Sequence, residues 1–427
     1  MNIIIVHHHL LTGGVTKVIN TQIESLKEIE GIKVHLLCGD YAGYENDDVG
    51  FFHCPEINYL KSSDTQVDLD KTLNIIDEKL NQITNILENP VFHIHNLNLG
   101  KNPILNLAFY NLSKNGVPVF NHCHDFAEDN RPKNMEWLKE VVEIKFKKSL
   151  EETLYPIHSN LEYGVINEGD KKLLSKHPST HRKVNFVPNA ILPPPLSKDC
   201  TNKDSVIRGQ LGINNDLPII VYPVRVIERK NIAELILLTL LFKDKANWCV
   251  TQPPKNPDEI VNYEIWKQLC KDLQIPLIFE AGDLCDFNEL MYSADRIITT
   301  SSKEGFGLTF LEPWLYEKAV IGRNLPDITK DFKSQNINLN LLYDQLKVDN
   351  KDFIDYTETE KANLIVTVAE SKEKATQIIK NNNLDKLLLP IKKSLIDKNK
   401  QAIQSSYSVK SYGKNLASIY ERLTQSN

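Results

Sequence analysis

Short runs of consecutive apolar residues alternate along this chain with longer stretches whose apolar positions recur every three to four residues. Asn2–Val6 is the first run, compact and aliphatic, and helical spacing follows over Val15–Lys27. A continuous apolar run of that length reads as a strand covered on both faces, and the second pattern as an amphipathic helix. Further strands are expected at Lys33–Leu37, Phe51–Cys54, Val91–His95, Val117–Asn121 and Val184–Val187, with helices at Asp70–Leu87, Pro103–Asn115 and Glu168–Ser175. Leu154–Ile157 and Tyr163–Asn167 read as strands or turns. Proline-rich Pro188–Pro195 interrupts the series, which then restarts. Its second part has strands at Pro218–Pro223, Trp248–Thr251, Leu277–Phe279, Asp295–Thr300 and Ala319–Arg323, and helices at Ile232–Leu241, Glu259–Leu273, Phe287–Ser293 and Phe310–Leu315. Two such series imply two doubly wound α/β domains joined by a stiff connector. The expected boundaries are 1–195 and 196–407, with a final helix at about 408–427, patterned over Tyr412–Leu423, packing back on the first domain.

Composition narrows the function classes. The chain has 427 residues, room for two cores, and its net charge of -6 gives no basic footprint for nucleic acid. Seven scattered cysteines, never spaced C-x-x-C, argue against a disulfide framework or a zinc knuckle. Met1–Val6 runs straight into His7-His8-His9, and no stretch reaches membrane-spanning length, so a cytoplasmic protein without stable membrane insertion is expected. Lys139–Lys148 reads as a solvated helix face of mixed charge, and acidic Asp349–Glu360 as a surface segment.

The candidate chemistry centres on Ser301–Glu312, S-S-K-E-G-F-G-L-T-F-L-E, which reads as a strand end, a glycine turn and a helix start. Gly305 and Gly307 lack Cβ atoms, so backbone N–H groups at a helix N-terminus can approach an anion such as phosphate. Glu304 and Glu312, eight residues apart, are too distant to share a proton and suit the two ends of an extended ligand, such as the sugar and the ribose of a sugar nucleotide. Gly13-Gly14 follows the first strand, where open α/β sheets bind ligands, although the pattern G-x-G-x-x-G is absent. Arg225 and Lys230 share a strand-to-helix loop and can converge on a diphosphate. His122-Cys123-His124 ends a strand, where neighbouring side chains point to opposite faces, so no metal site is read from the three. His124, followed by Asp125, is the candidate for a polar contact to a reacting sugar, and the loops Asn96–Asn102 and Glu128–Pro132 with His7–His9 are candidate acceptor contacts. Each feature also has a plain reading: solvated glutamates, an ordinary turn, a solvated basic loop, a structural histidine, an exposed histidine triplet.

Taken in order, Gly13-Gly14, His124-Asp125, Pro188-Asn189, Arg225 with Lys230, and Glu304-Gly305-Phe306-Gly307-Leu308 with Glu312 resemble retaining glycosyltransferases of the GT-B fold, family 4. The resemblance implies two Rossmann-like domains facing across a cleft. It implies that Arg225 and Lys230 neutralise the diphosphate of a UDP- or GDP-linked sugar, that Glu312 binds the ribose, and that Glu304 and the backbone of Gly305–Leu308 hold the transferred hexosyl group. His124 would lie near the reacting face of the sugar and Gly13-Gly14 under the phosphates. It further implies no metal and no cofactor, with the departing diphosphate assisting attack by an acceptor hydroxyl, of a small polar molecule or a glycan, on the same face. Two residues depart from the pattern: Val224 and Asn231 stand where glycine is usual. A sugar-nucleotide epimerase of the same fold and a non-catalytic sugar-nucleotide-binding protein are the rival readings.

Overall fold

The computed structural model describes residues 1–11, 13–41, 44, 46, 49–64, 66–129, 131–176, 183–195 and 203–425. Thr12, Asn130, Cys200 and the expected boundary at 196 lie outside the described residues. The chain divides into two compact units, Met1–Leu192 with Tyr407–Asn427, and Pro193–Ser406.

In the first unit seven strands form one parallel sheet: β1 (Asn2–His9), β2 (Lys33–Asp40), β3 (Gly50–His53), β4 (Pro90–His95), β5 (Val119–Cys123), β6 (Leu161–Val165) and β7 (Val184–Phe186). Their order is β3-β2-β1-β4-β5-β6-β7. Ile3, Ile4, Ile5 and Val6 are wholly buried, with Ile3 and Ile5 in one apolar cluster and Ile4 and Val6 in another. β-Branched side chains covered on both faces are what a central parallel strand needs. Crossover helices include Gly14–Lys27, Leu69–Ile86, started by Asp68 accepting from the Asp70 and Lys71 amides, and Pro103–Lys114, started by Asn102 in the same way. Helix Val409–Gln425 turns Tyr412, Leu416, Ile419, Tyr420 and Leu423 inward and packs on helix Gly14–Lys27. Gly413 permits that approach, since a Cβ there would sit 2.2 Å from the Ser25 carbonyl oxygen.

The second unit carries β8 (Ile219–Arg225), β9 (Asn247–Gln252), β10 (Leu277–Ile278), β11 (Arg296–Thr299), β12 (Ala319–Arg323) and β13 (Leu342–Tyr343). They form a parallel sheet in the order β10-β9-β8-β11-β12-β13. Helix Ile232–Leu241 is buried at all ten positions, as its largely apolar sequence favours, with Glu234 and Thr239 its two polar members.

Several expectations are corrected. β1 continues to His9, and His7 and His8 are buried rather than exposed. Leu154 is the last residue of a helix, Leu150–Leu154, whose start the Ser149 hydroxyl caps by accepting from the Glu152 amide. Acidic 349–360 is mostly a surface segment, as expected, but it is ordered around two buried residues, Asp352 and Phe353. Asp349 and Asn350 take left-handed conformations in a tight antiparallel turn, Asp352 is buried, and Thr357 with Glu360 forms a capping box. The helix expected at Phe310–Leu315 is broken up, into a 3₁₀ turn at Leu308–Phe310 and one α-turn at Glu312–Leu315. Among the described residues no helix is long and apolar enough to cross a membrane. Strand order reverses between β1 and β4 in one sheet and between β8 and β11 in the other, and ligands of open parallel sheets bind beyond the carboxyl ends of such strands.

Candidate active site

In the second unit the loops after β8 and β11 are sewn together. The Ser302 amide donates to the Arg229 carbonyl at 2.8 Å, and the Thr300 hydroxyl donates to the Lys230 carbonyl at 3.0 Å. This brings Lys230 onto the Glu304 carboxylate, which also accepts from Arg229 at 2.6 Å and from the Ser301 hydroxyl at 2.7 Å. Tyr222 lies 2.8 Å behind Ser301. Glu304 and Lys230 have side chains only 9% and 12% exposed, so their pairing is felt at low dielectric. Burial alone would raise the Glu304 carboxyl; the Lys230 and Arg229 cations outweigh it and hold Glu304 below the usual carboxylate range. Burial lowers the pKa of Lys230, opposed by Glu304 and assisted by Arg229.

Arg225 and Lys230 do not meet on a common partner. Arg225, at the end of β8, donates to Gln252 Oε1 at 2.8 Å and the Pro253 carbonyl at 3.2 Å, whereas Arg229, which the sequence reading passed over, shares Glu304 with Lys230. Register slips between Tyr222 and Arg225, around Pro223, which cannot donate to the ladder. Asn231 has φ 49°, a left-handed conformation that asparagine tolerates, which accounts for glycine's absence there. Gly307 also needs its residue type: φ is 87°, and a Cβ would press within 2.9 Å of Ile328 and Phe310. Gly305 faces open space. Phe306 is a packing residue, edge-on to Phe332 at 5.6 Å, and Leu308 opens the 3₁₀ turn. Glu312 begins the single α-turn, and burial followed by the Glu312 charge pushes the Tyr316 hydroxyl up to about 12.

In the first unit the carboxyl ends of β1, β4 and β5 gather His7, His8, His9, His93, His95, His122 and His124. The His95 and His124 rings stack at 5.1 Å with Nδ1 of the first 2.9 Å from Nε2 of the second. His93 Nε2 lies 3.2 Å from His122 Nδ1. Gln22 of helix Gly14–Lys27 and Tyr420 of the C-terminal helix close the inner side of this cluster. His93, His95 and His122 bring ring nitrogens within 4.8 Å of one another, and the hydrogen bonds above employ both ring nitrogens of His93 and His95 but only Nδ1 of His122. The H-C-H string on β5 gave no hint of this grouping, because its partners come from β4. Gly13 caps helix Gly14–Lys27 in an extended conformation, and both Gly13 and Gly14 are exposed.

Burial lowers the pKa of His7, His93, His95 and His122 well below its ordinary value, and that of His8 and His124 to about 4. Unfolded histidines take up protons from about pH 6.5 downward, earlier than these folded ones, so stability present above that pH is lost as pH falls below it. Each such group contributes up to about 1.4 kcal/mol per pH unit. Denaturant midpoints measured at about pH 7.5 and about pH 5.5 should therefore differ clearly, and equal midpoints would contradict a neutral buried cluster.

No protein-family model matches the sequence. The chain is 29% identical over 420 residues to mannosylglucosyl-3-phosphoglycerate synthase of Petrotoga mobilis (strain DSM 10674 / SJ95), covering 91% of this chain and 78% of that protein. Among solved structures, Anabaena Alr3699/HepE in complex with UDP and glucose superposes with a TM-score of 0.61 at 14% identity over 99% of both chains. A glycosyltransferase from Rickettsia africae ESF-5 superposes with a TM-score of 0.61 at 15% identity, over 100% of this chain and 99% of that one. The chain thus has the GT-B fold, two parallel-sheet α/β units, and is similar to glycosyltransferases along its length.

Proposed function

We propose that this chain is a retaining glycosyltransferase of family 4 that moves a hexosyl group from a UDP- or GDP-linked sugar to an acceptor hydroxyl, without metal. The observation that carries this reading is the Lys230–Glu304–Arg229 cluster beyond β8 and β11. Two cations against one carboxylate leave a net positive charge where a diphosphate would depart. Fixed charge of that kind lowers a barrier when it meets charge that grows in the transition state. In the proposed step the bond from the sugar's anomeric carbon to the diphosphate oxygen breaks. The acceptor oxygen bonds to that carbon on the same face, and its proton passes to the departing phosphate oxygen. Glu304 and the Gly305–Leu308 backbone hold the sugar, Glu312 the ribose, Gly13-Gly14 the phosphates, and His124 the sugar near its reacting face. Among the described residues six cysteines are free and buried, which fits a reducing compartment such as the cytoplasm.

The acceptor is assigned an anionic group. Lys101 and Arg131 follow β4 and β5, in loops joined by Asn134 donating to the Leu99 carbonyl at 3.0 Å, and burial with the Arg131 charge lowers the pKa of Lys101. A phosphate or carboxylate would relieve that repulsion, and the Petrotoga relative's name describes a product built on 3-phosphoglycerate. Lys101→Ala should raise KM for a phosphorylated sugar acceptor about tenfold with kcat little changed, as loss of one charge-assisted hydrogen bond does. An unchanged KM removes the anion assignment.

The function itself is tested by offering UDP- and GDP-hexoses with 3-phosphoglycerate-linked and plain sugar acceptors and reading the product's anomeric configuration by NMR. Retention is expected. An inverted product, epimerised donor, or no turnover of any donor would each overturn the reading.

A further inference from the structure

The histidine cluster has an internal logic that the proposed reaction does not by itself require. Gln22 is wholly buried, and its amide nitrogen lies 3.0 Å from the Tyr420 hydroxyl and 2.8 Å from His93 Nδ1. Its amide oxygen lies 2.8 Å from His95 Nε2. An amide oxygen only accepts, so His95 carries its hydrogen on Nε2 and leaves Nδ1 as an acceptor. That acceptor faces His124 Nε2 at 2.9 Å, which must then be the protonated nitrogen of His124. The other nitrogen, Nδ1 of His124, has no partner among the described residues, and the ring is half-buried at the end of β5. The Asn96 side chain holds the same residue from the backbone, accepting from the His124 amide at 2.7 Å.

We infer that Gln22, acting through His95, is a positioning residue that fixes the tautomer of His124, so that the ring presents a bare Nδ1 and accepts a hydrogen bond from a hydroxyl of the transferred sugar. This rests on the assignment of His124 to that sugar. The chain of contacts runs from an amide on one helix through a buried imidazole to the half-buried one. Tyr420 of the C-terminal helix orients the amide by accepting from its nitrogen. Neutral rings are essential, because a protonated His95 would donate from both nitrogens and reverse the sense of the His124 contact. The depressed pKa of His95 keeps it neutral in the physiological range. Specificity follows as well: a donor sugar in which the contacting hydroxyl is replaced by fluorine can no longer donate to Nδ1, and should turn over more slowly than the parent sugar.

The test is ¹⁵N NMR of the full-length chain labelled at histidine, with His124 assigned by comparison with His124→Asn. A hydrogen on Nε2 of His124 in the native chain, lost or moved to Nδ1 in Gln22→Met or His95→Phe, supports the inference. A hydrogen on Nδ1 in the native chain overturns it, and so does a tautomer unaltered in both variants. Kinetics give a second readout: folded Gln22→Met should lose about tenfold in kcat, the worth of one misdirected neutral hydrogen bond, with the donor KM little changed. A kcat equal to that of the native chain would mean that the relay is structural only. The NMR result stands whether or not the chain transfers sugar, so failure of the relay and failure of the transferase reading are told apart.

Discussion

Lys230→Ala is expected to lower kcat by about a hundredfold to a thousandfold, the range for removing one preorganised group that meets developing negative charge. The loss should fall on kcat and kcat/KM alike, because diphosphate charge is larger in the transition state than in the bound donor. The fold should survive, since Glu304 keeps Arg229 and the Ser301 hydroxyl. A second signature follows from linkage. The folded-state pKa of Glu304 is depressed, so its contribution to stability is present above the unfolded carboxyl range and lost as pH falls through the depressed value. Without Lys230 that folded value rises, and acid unfolding should begin at a higher pH. Arg225→Ala and Arg229→Ala, assayed beside it, decide which arginine is the second cation at the diphosphate. The resemblance to family 4 selects Arg225, while Arg229 is the one that shares Glu304. Turnover of Lys230→Ala within about threefold of the native chain would take the cluster out of the reaction.

The layered fold was legible because parallel strands covered on both faces are written as unbroken apolar runs, and Ile3 to Val6 or Ile219 to Tyr222 admit little else. The site was legible only where chemistry and loop position coincide in sequence. Lys230 and Glu304 fall next to strand ends, so a reader of strands finds them. Arg229 was missed because its role comes from which side of a 3₁₀ turn it leaves, and Glu228–Lys230 is too short for a periodicity to show that. Helical spacing after Gly307 misled for a related reason: a left-handed glycine and Pro313 at the next helix start divide a stretch whose apolar pattern is continuous. Seven histidines scattered over three strings in the sequence become one cluster only when β1, β4 and β5 lie side by side, a long-range fact that no local pattern carries. The same limit hid Asp352, written in an acidic run and buried by an arginine 29 residues earlier.

That arginine supports the second large prediction: Arg323→Met should destabilise the second unit by about 3–5 kcal/mol, the cost of stranding buried carboxylates. Arg323 donates to Glu234 Oε2 at 2.6 Å and Oε1 at 2.9 Å, and to Asp352 Oδ1 at 2.7 Å and Oδ2 at 2.9 Å. Tyr343 donates to the same Glu234 carboxylate at 2.7 Å. Burial by itself would lower the pKa of the guanidinium, but the Glu234 charge and the Asp352 hydrogen bonds more than reverse that, so the cation is kept. Removing it leaves two carboxylates with side chains 0% and 9% exposed and no cation between them. Adding Glu234→Gln and Asp352→Asn to Arg323→Met should recover part of the loss, because the penalty lies in unpaired charge more than in missing volume. The network also reaches the site, since the Asn231 side chain donates to Glu234 at 2.9 Å while its backbone follows Lys230 in the left-handed conformation. Arg323→Met should therefore lower kcat at temperatures where it remains folded, by freeing the loop that aims the lysine. Thermal and denaturant unfolding of the single and triple variants checks the argument. A single variant within about 1 kcal/mol of the native chain would show that Glu234 and Asp352 find other neutralisation, and that the bonds to Tyr222, Thr300 and Ser302 suffice to hold the lysine loop.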